Sequence, residues 1–74
     1  MKLTDRAIKT GQTVEIVEFS GAEQMRERLH EMGLRQGSQI FILGQAPFSG
    51  PLLVRFHQSF LALRNEEAQC ITVK

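Results

Sequence analysis

Glycine and proline cut this chain into pieces too short for a helical bundle. Gly11, Gly21, Gly33, Gly37, Gly44 and Gly50 fall along the sequence, with Pro47 and Pro51 flanking the last. Up to residue 51 no uninterrupted stretch exceeds the eleven residues between Gly21 and Gly33. Such punctuation suits short strands joined by tight turns, with room for one helix.

The stretch between Gly21 and Gly33 is the clearest element. Ala22, Met25, Leu29 and Met32 recur at helical spacing and form one apolar stripe. Ser20-Gly21-Ala22-Glu23 has the pattern of a capping box, in which the Ser hydroxyl accepts from a free backbone N–H and Glu23 reaches back. Gly33 stands where a left-handed residue ends a helix, and Leu34 beyond it is placed to pack on Leu29. A helix over about Ala22 to Met32 is expected. Glu23, Arg26, Glu27 and His30 then lie on its outer side.

The remaining segments read as strands. In Thr13 to Phe19 the apolar parity changes, with Val14 and Ile16 on one face and Val17 and Phe19 on the other. A β-bulge near Ile16 and Val17 brings all four inside. Ser38 to Leu43 is apolar on both parities, as for a strand buried by the sheet on one face and by the helix on the other. Leu52 to His57 alternates, with Leu52, Val54 and Phe56 inward and Leu53, Arg55 and His57 outward. Phe60 to Arg64 follows after a connection short enough for a hairpin. Asn65 to Ala68 reads as one tight turn with Asn65 able to cap it. Ile71 and Val73 alternate in a last strand. The first ten residues hold either a brief strand or a turn of helix, with Leu3, Ala7 and Ile8 inward. The fold class expected is mainly β: a small, partly open antiparallel barrel with one α-helix.

Size and charge narrow the functions. A chain of 74 residues, 42% of them apolar, makes one small globular domain over residues 1–74. Its nine basic and eight acidic residues are interspersed, and the net charge is +1. Nucleic-acid modules carry a basic excess that neutralises several phosphates, so no nucleic-acid partner is expected. Arg26, Arg28, Arg35, Arg55 and Arg64 form no continuous stripe. No apolar stretch approaches the roughly 20 residues that cross a bilayer, and the N-terminus lacks the apolar core of a signal peptide. The lone Cys70 cannot make an intramolecular disulfide, which favours a reducing, cytoplasmic setting. With no Trp or Tyr among its aromatics, the chain cannot build the groove that reads proline-rich peptides.

Little in the sequence points to catalysis or to a bound cofactor. His30, His57 and Cys70 show no structural-zinc spacing. His30 and Glu27, one turn apart, read as a solvated helix face, with a weakly held divalent ion as the alternative. His57 reads as an exposed turn residue and Cys70 as a plain small side chain. Ser20, Ser38, Ser49 and Ser59 lack a nucleophile context, and no phosphate-binding glycine loop occurs. The loop Gln45 to Pro51 differs. It sets Phe48 between two prolines, where the ring either projects as a preordered contact or folds back to plug the barrel end.

Three segments together resemble the ferrous iron transport protein A (FeoA) family. They are Arg26 to Leu34 (RERLHEMGL) with Gly37, then Ala46 to Leu52 (APFSGPL), then Leu61 to Ala68 (LALRNEEA) closing with Ile71 and Val73. Gln36 stands where the family often has proline, which loosens that turn. The resemblance implies an SH3-like barrel. It further implies a cytoplasmic accessory protein of bacterial ferrous uptake whose partner is the cytoplasmic GTPase part of a FeoB-type transporter. Similar domains in metal-dependent repressors suggest the alternative of weak transition-metal sensing. The residues expected to contact a partner are Arg26 and His30 on the helix and Pro47 and Phe48 on the loop. Weak self-association is a further expectation, and insertion into the membrane is not expected.

Overall fold

The computed structural model describes residues 1–48 and 50–74; Ser49 of the proline-flanked loop lies outside the described residues. The elements run β1 (Thr13–Phe19), α1 (Glu23–Glu31), β2 (Gln39–Gln45), β3 (Leu52–Phe56), β4 (Ser59–Leu63), α2 (Asn65–Ala68) and β5 (Ile71–Val73). All strand pairings are antiparallel, in the order β4-β3-β2-β1-β5. The sheet wraps one core of Leu3, Val14, Ile16, Leu29, Leu34, Ile40, Ile42, Leu52, Val54, Phe56, Leu63, Ala68, Ile71 and Val73. The barrel is partly open, because β4 and β5 do not pair with each other. The tight turn expected at residues 65–68 is the four-residue α2, so the described residues form two short helices, not one.

Helix α1 ends as its sequence dictates. Gly33 sits at φ +96° and donates to the His30 carbonyl at 2.9 Å, while the Leu34 amide donates to the Leu29 carbonyl at 3.2 Å. That is the Schellman pair of bonds, and Leu29 and Leu34 are both fully buried beside it. Burial of two leucines is worth roughly 1.5–3 kcal/mol each, so this stop anchors the helix to the sheet.

The start of α1 differs from expectation. Ala22 is the N-cap and no side chain caps it. Ser20 is used elsewhere: its hydroxyl accepts from Lys2 Nζ at 2.9 Å, and its amide donates to the Cys70 carbonyl at 2.8 Å. Ser20 therefore ties β1 to the end of α2 instead of capping. Ala22 is exposed, Met25 and Met32 are half-buried, and only Leu29 of the stripe is fully buried.

In β1 the register against β5 slips at Val17, between Ile16 and Glu18, where the bulge was expected. Val14 and Ile16 are buried, while Val17 and Phe19 are half-buried. The bulge thus brings Phe19 against the core without enclosing it. The outer face of β2 is not covered by α1: Phe41 is half-buried and Leu43 exposed. Instead Arg55, directly opposite Phe41, lies over its ring at 5.0 Å from the centroid. The β3–β4 hairpin turns on His57-Gln58, with His57 at φ +57°. Leu53, Arg55 and His57 face outward as read.

Two long-range features tie distant parts of the chain together. Residues 1–3 run beside β5, where Lys2 bridges to Thr72, Leu3 donates to the Ile71 carbonyl at 2.9 Å, and Val73 donates to the Met1 carbonyl at 2.8 Å. Leu3 is buried and Ile8 packs on the core, but Ala7 is exposed, its amide bound to Asp5 Oδ1 in a local turn. At α2 the residue that caps is Glu67, not Asn65. Its carboxylate is buried, accepts from the Arg64 amide at 2.8 Å and meets Arg28 Nε of α1 at 3.1 Å.

Candidate functional site

Sequence reasoning named four contact residues, and the structure sorts them into two places. Arg26 and His30 share a shallow depression of about 360 Å³, lined also by Glu18, Phe19, Arg35 and Gln36. Helical spacing of four puts Arg26 and His30 one turn apart on the exposed side of α1. The His30 ring stands edge-on to Phe19, 5.0 Å between centroids and 83° between planes. Arg35 is held by its own hydrogen bonds to the carbonyls of His30 (2.6 Å) and Leu34 (2.8 Å). A guanidinium at that position adds a second donor to the His30 carbonyl, which already accepts from the Gly33 amide, and complements the dipole of α1. Among the described residues no acidic group pairs with Arg26 or Arg35, while Glu18 supplies the one carboxylate of the lining. The depression is net positive and suits an acidic contact.

Pro47 and Phe48 lie at the opposite end of β2. The loop is closed by the Ala46 amide donating to the Pro51 carbonyl at 3.0 Å and the Gly50 amide donating to the Pro47 carbonyl at 3.1 Å. Gln45 Nε2 adds a bond to the Gly50 carbonyl at 3.3 Å. Phe48 stands at φ +59° and is 100% exposed. It projects and does not plug the barrel. Gln36 precedes β2 and Gln45 is its last residue, and the strand's seven residues span roughly 20 Å. The molecule itself measures 28 × 24 × 21 Å, so the two groups sit at opposite ends.

The possible metal ligands do not gather. His30 is on α1, His57 is in the hairpin turn against Phe56, and Cys70 is half-buried with its thiol donating to the Glu66 carbonyl at 3.4 Å. Among the described residues no three His, Cys, Asp or Glu side chains converge. Sequence reasoning missed the outer sheet face. There Phe41, Gln36, Gln39, Arg55 and His57 border a broad depression of about 590 Å³. The outward parity of Arg55 was readable, but both faces of the strand carrying its partner Phe41 read as buried.

Comparison with known proteins decides the lineage. The FeoA domain model matches residues 1–74. The chain belongs to the FeoA family. FeoA domains are small domains associated with ferrous iron transport. A FeoA-like protein from Clostridium acetobutylicum is 27% identical and superposes at TM-score 0.89 over 100% of this chain and 84% of its own. FeoA from Chlorobium tepidum is 33% identical at TM-score 0.84, over 99% of this chain and 68% of its own. A zinc complex of FeoA from Stenotrophomonas maltophilia is 23% identical at TM-score 0.80, over 100% of this chain and 89% of its own. That protein is described as a prokaryotic SH3-domain protein and a candidate activating factor of bacterial ferrous iron transport. The FeoA fold is therefore the SH3-like barrel seen here. No curated protein matches the chain by sequence. No helix of the described FeoA domain is long and apolar enough to cross a membrane.

Proposed function

We propose that this FeoA domain, as a single unit over residues 1–74, is a non-catalytic cytoplasmic accessory of ferrous iron uptake. It acts by binding the cytoplasmic GTPase part of a FeoB-type transporter. The observation that carries this reading is Phe48: a wholly exposed aromatic on a short loop closed by three hydrogen bonds. A stiff apolar tip loses little entropy on docking, and anchors of this kind dominate interface energies. Arg26 and His30 provide a second, polar contact at the other end of β2. Because the two groups are far apart, the partner either spans the barrel or uses one end at a time.

Titration of the transporter's cytoplasmic part with this chain tests the reading. Phe48→Ala should weaken binding about 10–30-fold, as loss of a central aromatic anchor does. Arg26→Glu should weaken it less and make it less salt-sensitive. Absence of binding by the unsubstituted chain at any concentration would end this proposal.

A second reading, weak transition-metal sensing, draws support from the zinc complex of the Stenotrophomonas relative. Its donors would be His30, His57 or Glu side chains. Calorimetry with ferrous or manganous ion, on the natural chain and on His30→Ala/His57→Ala, separates the two; identical heats remove it.

A further inference from the structure

We propose that the bare edge of β4 is a self-association surface, on which a second copy of this chain lays its own β4 antiparallel, centred on Leu61. β4 has β3 as its one strand neighbour, and among the described residues no other backbone group bonds to residues 59–63. The two-residue hairpin makes Phe56 and Ser59 a hydrogen-bonded pair, so Ser59, Leu61 and Leu63 spend their amides on β3. The amides and carbonyls of Phe60 and Ala62 therefore point away from the sheet. An antiparallel copy centred on Leu61 sets Phe60 opposite Ala62 of the second copy, and Ala62 opposite its Phe60. Each such pair exchanges two N–H···O bonds, four in all. The edge is thus complementary to itself and needs no other sequence.

Edge strands usually carry a charge, a proline or a bulge that prevents such pairing. Ser59-Phe60-Leu61-Ala62-Leu63 has none of these, and its register with β3 runs unbroken over five pairs. On the outward face Phe60 is 72% exposed, Ala62 is exposed, and Leu53, which pairs with Ala62, is 42% exposed. The second copy brings each Phe60 across Ala62 towards Leu53, covering the most exposed large apolar side chain on that face. Charge does not oppose it: the register puts Arg64 opposite Gln58, and the whole chain carries only +1. The seam is small beside the roughly 1,600 Å² of a standard interface, so the dimer is weak, in the high micromolar range. It is also closed, because a two-fold pairing uses the one bare edge of each copy and leaves none for a third.

Sedimentation of the natural chain from about 10 µM to 1 mM tests this. The mass should rise from 8.4 kDa towards twice that value. Over the same range the exposed amides of Phe60 and Ala62 should gain protection from hydrogen exchange, while Leu61 stays unchanged. Phe60→Lys/Ala62→Lys places lysine directly opposite lysine twice and should hold the chain monomeric. Phe60→Glu/Ala62→Glu should do the same, and mixing the two variants should restore a dimer. Circular dichroism checks that each variant is folded. If one lost its fold, the amide-exchange arm on the natural chain would still decide. A constant 8.4 kDa mass up to 1 mM, or a dimer unaffected by the paired charges, overturns the proposal.

Discussion

The two edges of this sheet end differently. Beyond β5 the chain lays residues 1–3 along the strand, and Leu3 enters the core. Beyond β4 nothing among the described residues follows, and Phe60 faces solvent. Both edges present the same backbone chemistry. What separates them is a buried leucine on one side and its absence on the other. The covered edge contributes to stability, whereas the bare edge is free to meet another chain.

Stability measurements should reproduce that contrast in order. Leu3→Ala strips the cover of β5 and opens the core beneath it. It should cost about 2–5 kcal/mol, and a thermal scan should show the midpoint falling by 10 °C or more, or no transition at all. Glu67→Ala comes next. It leaves the Arg64 amide without its acceptor and Arg28 without its partner, for about 1–3 kcal/mol in urea unfolding. Gly33→Ala forces a Cβ into a left-handed position 3.4 Å from the Phe56 ring, and should lower stability by about 1–2 kcal/mol. Phe60→Ser on the bare edge should fall within about 0.5 kcal/mol of the natural chain when measured dilute. A Phe60 substitution as costly as Leu3→Ala would erase the contrast between the edges.

What the sequence revealed was largely local. The stop of α1 was readable because Gly33, Leu29 and Leu34 lie within one turn of each other. The bulge at Val17 was readable because a change in apolar parity marks the residue where register slips. Alternation in β3 gave its inward and outward faces. Long-range features were hidden. Ser20 had the pattern of a cap, yet Cys70, fifty residues on, takes its amide. Residues 65–68 read as a tight turn with Asn65 as its cap, yet Glu67 caps it, and Arg28, brought close by the fold, lets its carboxylate stay buried. The outer side of β2 looked helix-covered because hydrophobicity shows that a face is apolar, not what covers it. Of the candidate site, exposure of Arg26 and His30 followed from the helical stripe. That they lie a strand's length from Phe48 followed only from the path of β2.

The pairing of Ile16 with Val73 carries a consequence for time as well as space. The β2–β3 and β3–β4 pairings join neighbours in sequence and close short loops. The β1–β5 pairing joins opposite ends of the chain, and a contact of such separation repays its closure entropy last. The covered edge is then the final part of the barrel to form and the first to open. Substitutions at Val73 should accelerate unfolding while leaving the folding rate nearly unchanged.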